Sequence, residues 1–188
     1  HLTLVPYIKC ADEIKTKPTQ HSVGTLREIG IQPDILICRT EKSLSDDVKE
    51  KISLFCNVRK EAVIEAKDVE SIYQLPVVFK NQILDEIILS HFKLICKLSD
   101  LKDWEKLVIE RVLNPKHKVT VAFVGKYISL QDAYKSIYES LIHAGIQNDA
   151  KVEIKKVDSE DLEKEGTKIL KGVSGILVPG GFGYRGIE

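Results

Sequence analysis

The chain has 188 residues, a length for one large domain or two small ones. Its 43% hydrophobic and 30% charged residues fit a soluble globular protein. Lys+Arg number 28 and Asp+Glu number 28, so the formal net charge is zero; this excludes a global basic field for DNA or RNA, and any anion site must be local. No apolar run approaches bilayer-crossing length, and His1 opens straight into a strand-like run rather than a signal peptide.

Leu2-Thr3-Leu4-Val5 predicts a strand feeding a polar loop over residues 9–20. Ser22 is placed to cap a short helix through Leu26 and Ile29, ended by Gly30. Asp34 to Cys38 is a nearly all-apolar strand of the kind buried on both faces of a parallel sheet. Ser45 precedes Val48, Ile52 and Phe55 at helical spacing, and Ala62-Val63-Ile64 is a further strand. Val77 to Phe92 fits one helix. Residues 97–118 predict a single amphipathic helix around Trp104, stopped at Asn114-Pro115, and we read it as an interdomain linker with Trp104 as packing.

A second unit begins with the strand Val119 to Val124. Asp132 to His143 predicts a helix with Gly145 past its end, Lys151 to Lys155 a strand, Leu162 to Leu170 a helix, and Gly175 to Val178 a buried strand running into Pro179-Gly180-Gly181-Phe182-Gly183. Strand and helix alternate throughout, so the fold class is α/β.

The densest chemistry is Lys15-Thr16-Lys17-Pro18-Thr19-Gln20-His21-Ser22. Two ammoniums with hydroxyl and amide donors suit a polyanion such as a triphosphate, and Pro18 limits the entropy lost on binding. A solvated basic loop is the plainer alternative. The glycine-rich turn after the last strand suits close backbone approach to a ligand, or is simply a tight turn; it is neither a G-x-G-x-x-G nor a P-loop. Lys126 reads first as a solvated lysine, and Asp68 as the cap of the next short helix. Cys10, Cys38, Cys56 and Cys96 form no C-x-x-C pair, and the five histidines show no metal spacing, so no metal site is predicted and reduced cytoplasmic thiols are expected. Met is absent, and we read the chain as an excerpt of a longer protein.

Taken together these blocks resemble the CTP synthase family. The resemblance rests on Leu4-Val5-Pro6-Tyr7, Glu13 through Val23, Gly30 through Arg39, Lys51 through Cys56, Asp68-Val69 and Ile72-Tyr73, and then on Val124 through Tyr127, Asp132-Ala133-Tyr134 and Leu177 through Gly183. At Asp12 the family usually carries glycine. The resemblance implies two Rossmann-like parallel-sheet units: the C-terminal part of a P-loop-type synthetase (amidoligase) domain over 1–96, a linker helix over 97–118, and the start of a class I glutamine amidotransferase domain over 119–188.

It also implies a glutamine-hydrolysing ligase that aminates UTP to CTP using ATP and Mg2+. Lys15, Thr16, Lys17, Pro18, Thr19 and Gln20, with Lys51 and Phe55, would bind UTP, or CTP as feedback inhibitor. Arg39, Lys67, Asp68 and Val69 would lie at the ATP site. Gly180, Gly181 and Phe182 would hold glutamine and supply an oxyanion hole, and Arg185 would belong to the loop answering to GTP. The catalytic lysine, the magnesium ligands and the nucleophilic cysteine would lie outside these residues, so the fragment alone is expected to be inactive. The family forms homotetramers. Alternatives are a non-catalytic CTP- or UTP-binding module of the same descent, and another P-loop ligase fused to an amidotransferase.

Overall fold

The computed structural model describes residues 1–97, 99–126, 128 and 131–180. The chain divides into two compact units, His1–Glu105 and Lys106–Glu188. Both are α/β with a parallel sheet.

In the first unit, β1 (Leu2–Leu4), β4 (Leu36–Thr40) and β5 (Val63–Lys67) form a parallel sheet in the order β1-β4-β5. Leu2 pairs with Ile37, and Ile37 with Ile64. A short antiparallel hairpin, β2 (Tyr7–Ile8) and β3 (Glu13–Ile14), leaves the end of β1. Leu36, Cys38, Val63 and Ile64 are almost fully buried and make the core with Val5, Val23 and Ile52. β4 begins two residues later than the apolar run suggested, because its first ladder partner is Val63 of β5, opposite Leu36.

Helix α1 (Lys17–Glu28) corrects the sequence reading most. A loop was expected to residue 20 and a cap at Ser22; the helix instead starts at Lys17, with Pro18 in its first turn. Proline suits that place, since its φ is preset and its missing N–H has no intrahelical partner to lose. The other end is as expected: Gly30, at φ 86°, closes the helix, and the Ile31 N–H donates to Leu26 O at 3.1 Å.

Helix α2 (Asp46–Cys56) is capped by Ser45, whose Oγ accepts from Val48 N, and Asp46 and Asp47 favour its positive end. Its inward stripe is Val48, Ile52 and Cys56; Phe55, expected on that stripe, is 56% exposed. Asp68 does not cap the following turn: Ser71 does, in a capping box with Gln74. The expected single helix over Val77 to Phe92 is two, α3 (Leu75–Lys80) and α4 (Leu84–His91), with Ile83 at φ 54° between them. Gln82 explains the break. Its amide accepts from Glu65 N and donates to Glu65 O, both at 2.7 Å, so it completes the outer ladder of β5.

The expected helix over 97–118 is shorter. Lys93 already has φ 54°, and helix starts only at Lys102, where the Asp100 carboxylate accepts the Lys102 N–H at 3.0 Å. It runs as α5 (Lys102–Trp104), a π turn over Glu105–Ile109, and α6 (Glu110–Leu113). Trp104 packs at 6.2 Å from the Tyr73 ring and donates its indole N–H to Tyr73 O at 2.8 Å.

In the second unit β6 (His117–Gly125) is central in the order β7-β6-β8, all parallel, with β7 (Ala150–Asp158) and β8 (Gly175–Leu177). Phe123 is fully buried and meets the Tyr134 and Tyr138 rings edge-on at 4.8 and 5.1 Å. Helix α7 (Lys135–Gln147) outruns its expected end, so Gly145 lies inside it rather than past it. A methyl at Gly145 would collide with the carbonyl oxygen of Ala150, so glycine is there for the close approach of β7. Helix α8 (Ser159–Glu165) is capped by Asp158 and ends at Gly166, φ 70°, where the expected helix to Leu170 tightens to a 3-10 turn. No described helix is long and apolar enough to cross a membrane.

Two measurements test this packing. Gly145→Ala should destabilise the second unit by about 1–3 kcal/mol in urea unfolding, as overpacked sites do; unchanged stability would remove the close-approach argument. Burial pushes the Cys38 thiol up to about 12 and raises that of Cys56, whereas Cys10 and Cys96 are exposed. Iodoacetamide at neutral pH should therefore label Cys10 and Cys96 in the native protein, and Cys38 and Cys56 only after unfolding.

Candidate nucleotide site at the carboxyl edge of the first sheet

In open parallel sheets, ligands gather beyond the carboxyl ends of the strands. Here that edge carries most of the residues singled out in the first unit. From β1 the chain passes through Val5, whose N–H donates to Arg39 O at 2.8 Å, around the β2–β3 hairpin, and returns at Lys15, whose N–H donates to Pro6 O at 2.9 Å. Thr16 is then the N-cap residue of α1, so the start of that helix stands beside the end of β1.

The six residues of the basic run divide by direction. Thr19 is fully buried; its hydroxyl donates to Leu4 O at 3.0 Å and accepts from the Thr3 hydroxyl at 3.1 Å. Thr16 is 5% exposed and accepts from the Gln20 amide at 3.1 Å. Lys17 and Pro18 are exposed, while Lys15 and Gln20 are half-buried. Lys15 pairs with Glu13, and Lys17 has no ion-pair partner among the described residues. The threonines are thus turned into the fold, and the ammoniums face outward at the positive end of a twelve-residue helix.

The hairpin before the run is held by contacts that composition does not reveal. Asp12 sits at φ 47°, ψ 44°, a left-handed backbone that Asp tolerates better than most residues. Its carboxylate accepts the Tyr7 hydroxyl at 2.5 Å, which raises the phenol above its ordinary range. The Lys42 ammonium lies 5.2 Å over the same ring.

Arg39, next to last in β4, donates from Nε to the Asp68 carboxylate at 3.2 Å; both side chains are at least half exposed, so the pair contributes about 1 kcal/mol or less. The Asp68 N–H donates to Thr40 O at 2.8 Å, which fixes the exit of β5 beside that of β4. Lys67 is exposed at this exit and Val69 is half-buried. Lys51 and Phe55 are exposed one turn from each other on α2, and no described hydrogen bond or ion pair joins them to the basic run. Among the described residues no group of three or more His, Cys, Asp or Glu side chains is placed to hold a metal ion.

In the second unit, β6 and β8 end side by side: a Cβ on Gly125 would lie 3.5 Å from Pro179 and 3.3 Å from the Tyr134 hydroxyl. Lys126, expected in solvent, is not solvated; its Nζ is buried with no hydrogen-bond partner among the described residues. Gly180 is exposed just past β8. Gly181, Phe182 and Arg185 fall outside the described residues.

Thr19→Val keeps the shape of this junction but leaves Leu4 O and the Thr3 hydroxyl short of a partner. It should cost about 1–3 kcal/mol in chemical unfolding, and an unchanged midpoint would show that β1 does not need this anchor.

Comparison with known families agrees with the order of the two units. Residues 1–94 match the family described as CTP synthase N-terminus, and residues 129–188 match glutamine amidotransferase class-I. With half of its length matched by the first and the second following it in sequence, the chain belongs to the CTP synthase family.

Proposed function

We propose that this chain is part of a ligase that aminates UTP to CTP with ATP and glutamine. The observation that carries the reading is the Lys15–Lys17 pair at the start of α1, beyond the end of β1, inside the segment matched to the CTP synthase N-terminus. Two ammoniums and a helix N-terminus make a local positive site in a chain of zero net charge, which is what a triphosphate requires.

On this reading Lys15, Lys17 and Lys51 neutralise the UTP triphosphate, and Gln20 orients it. Pro18 and the buried Thr16 and Thr19 hold the backbone in place, and Phe55 borders the pyrimidine. Arg39 and Lys67 serve ATP at the ends of the next two strands, with Asp68 and Val69 shaping the loop that receives it. The uracil 4-oxygen takes the γ-phosphoryl group and ADP leaves. Ammonia then adds at C4 and phosphate departs. Magnesium would arrive with ATP; the described residues offer it no ready ligand set. Glutamine is assigned to the turn at Gly180, Gly181 and Phe182, where backbone N–H groups can face an oxyanion, and GTP to the loop with Arg185. A cytoplasmic homotetramer, divided as synthetase domain 1–96, linker 97–118 and amidotransferase domain 119–188, completes the proposal.

The test is CTP formation by the intact protein from UTP, ATP and magnesium, with glutamine and separately with ammonium. CTP from both supports the reading. CTP from ammonium alone would place the defect in the amidotransferase half, and none from either would favour a nucleotide-binding module without catalysis. Within the active protein, Lys17→Ala should weaken UTP and CTP binding together by about 1.5–3 kcal/mol, measured by calorimetry; unchanged affinity would take that lysine out of the site.

A further inference from the structure

We propose that Tyr7, Asp12 and Lys42 form a clasp that presents Lys15 to its anionic ligand, which makes Tyr7 and Asp12 positioning residues for the UTP site proposed above, on which this inference rests. The β2–β3 hairpin pairs only Tyr7 with Ile14 and Ile8 with Glu13, and two rungs are too few to hold a hairpin by themselves. Yet Lys15 follows β3 directly, so its position depends on where that hairpin stands. Three contacts fix it. At the tip, the Tyr7 hydroxyl donates to Asp12 Oδ1 at 2.5 Å across the left-handed turn. Over the ring, the Lys42 ammonium sits 5.2 Å from the centroid.

Lys42 is itself held to the sheet. The Thr40 hydroxyl, 1% exposed at the end of β4, donates to Lys42 O at 2.8 Å and accepts from Lys42 N at 3.3 Å. At the base, Lys15 N donates to Pro6 O. The hairpin is therefore tied to β4 through a tyrosine ring gripped on its face and at its hydroxyl. A clasp of this kind lowers the ordering cost when the ligand arrives.

The experiment uses the intact protein and UTP itself, read by calorimetry and by steady-state kinetics, with Lys17→Ala as reference. Tyr7→Phe and Asp12→Ala should each raise the Kd for UTP about three- to tenfold, the worth of one such hydrogen bond. The KM for UTP should rise by more than kcat falls. Asp12→Asn, which keeps an acceptor oxygen and tolerance of the left-handed backbone, should stay within about twofold of the parent. The clasp is overturned alone if Lys17→Ala weakens UTP while Tyr7→Phe and Asp12→Ala do not. It is overturned as well if Asp12→Asn is as damaging as Asp12→Ala, or if affinity falls only in proportion to folded protein lost in thermal melts. A parent protein with no affinity for UTP overturns both the clasp and the reading beneath it.

Discussion

The hydrogen bond from the buried Thr19 hydroxyl to the Leu4 carbonyl is the constraint on which the first unit depends. Leu4 is the last residue of β1, and its carbonyl has β4 on one side only. The Thr19 hydroxyl is itself fully buried, and a buried hydroxyl left unpaired is costly, so its bond to this carbonyl fixes the first turn of α1 against the end of the sheet. Thr3 adds its own hydroxyl to the same junction. Once that turn is fixed, Pro18 can face outward, Lys17 stands on the exposed side, and Lys15 is one residue short of the helix. The direction of the charges follows from a bond that carries none.

The ion pairs at this edge are poor candidates for the same task. Lys15–Glu13 and Arg39–Asp68 are largely exposed, and water screens such pairs to about 1 kcal/mol or less. The order lies in neutral, short-range bonds: Thr19 to Leu4, Thr40 to Lys42, Asp68 N–H to Thr40 O, Gln82 to Glu65. This division has a functional logic. Charges that are not locked into strong internal pairs remain available to an anion, while the backbone that carries them is held by groups an anion does not compete for.

The sequence made the strands of the two parallel sheets readable, because residues 35–38 and 62–64 are short apolar runs within or beside β4 and β5 and β6 is bounded by a proline and a glycine, but it did not show the β2–β3 hairpin, whose second strand lies in the expected polar loop. It also displayed the basic run, whose spacing of lysines and hydroxyls is unusual in a neutral chain. What it did not display were the places where one residue answers a distant backbone. Gln82 breaks a helix to complete the edge of β5, and nothing local marks it for that task. Gly145 resembles a helix stop, yet its reason is Ala150, five residues on and across a turn. Thr16 and Thr19 resemble ligand donors in a list of side chains, and only the third dimension turns them inward. Ser71 and Asp68 are both sound caps by type; the pairing of Asp68 with Arg39 and Thr40 leaves the capping to Ser71.

The carboxyl edge of the first sheet also has a connectivity that separate residues would not suggest. Asp68 is bonded through its N–H to Thr40, the Thr40 hydroxyl holds the Lys42 backbone, Lys42 lies over Tyr7, and Tyr7 reaches Asp12 beside the basic run. The loops after β5, β4 and β1 are thus one contact path along the edge. Contiguity alone does not make such a path a conductor of allosteric signals, since coupling requires two discrete arrangements that both sites bias. What it does supply is shared rigidity: the residues proposed for the phosphoryl donor and those proposed for the acceptor nucleotide are referenced to the same strand ends. A transfer between two nucleotides needs their reacting atoms held within a few tenths of an ångström of alignment, and a common frame meets that need better than two independent loops.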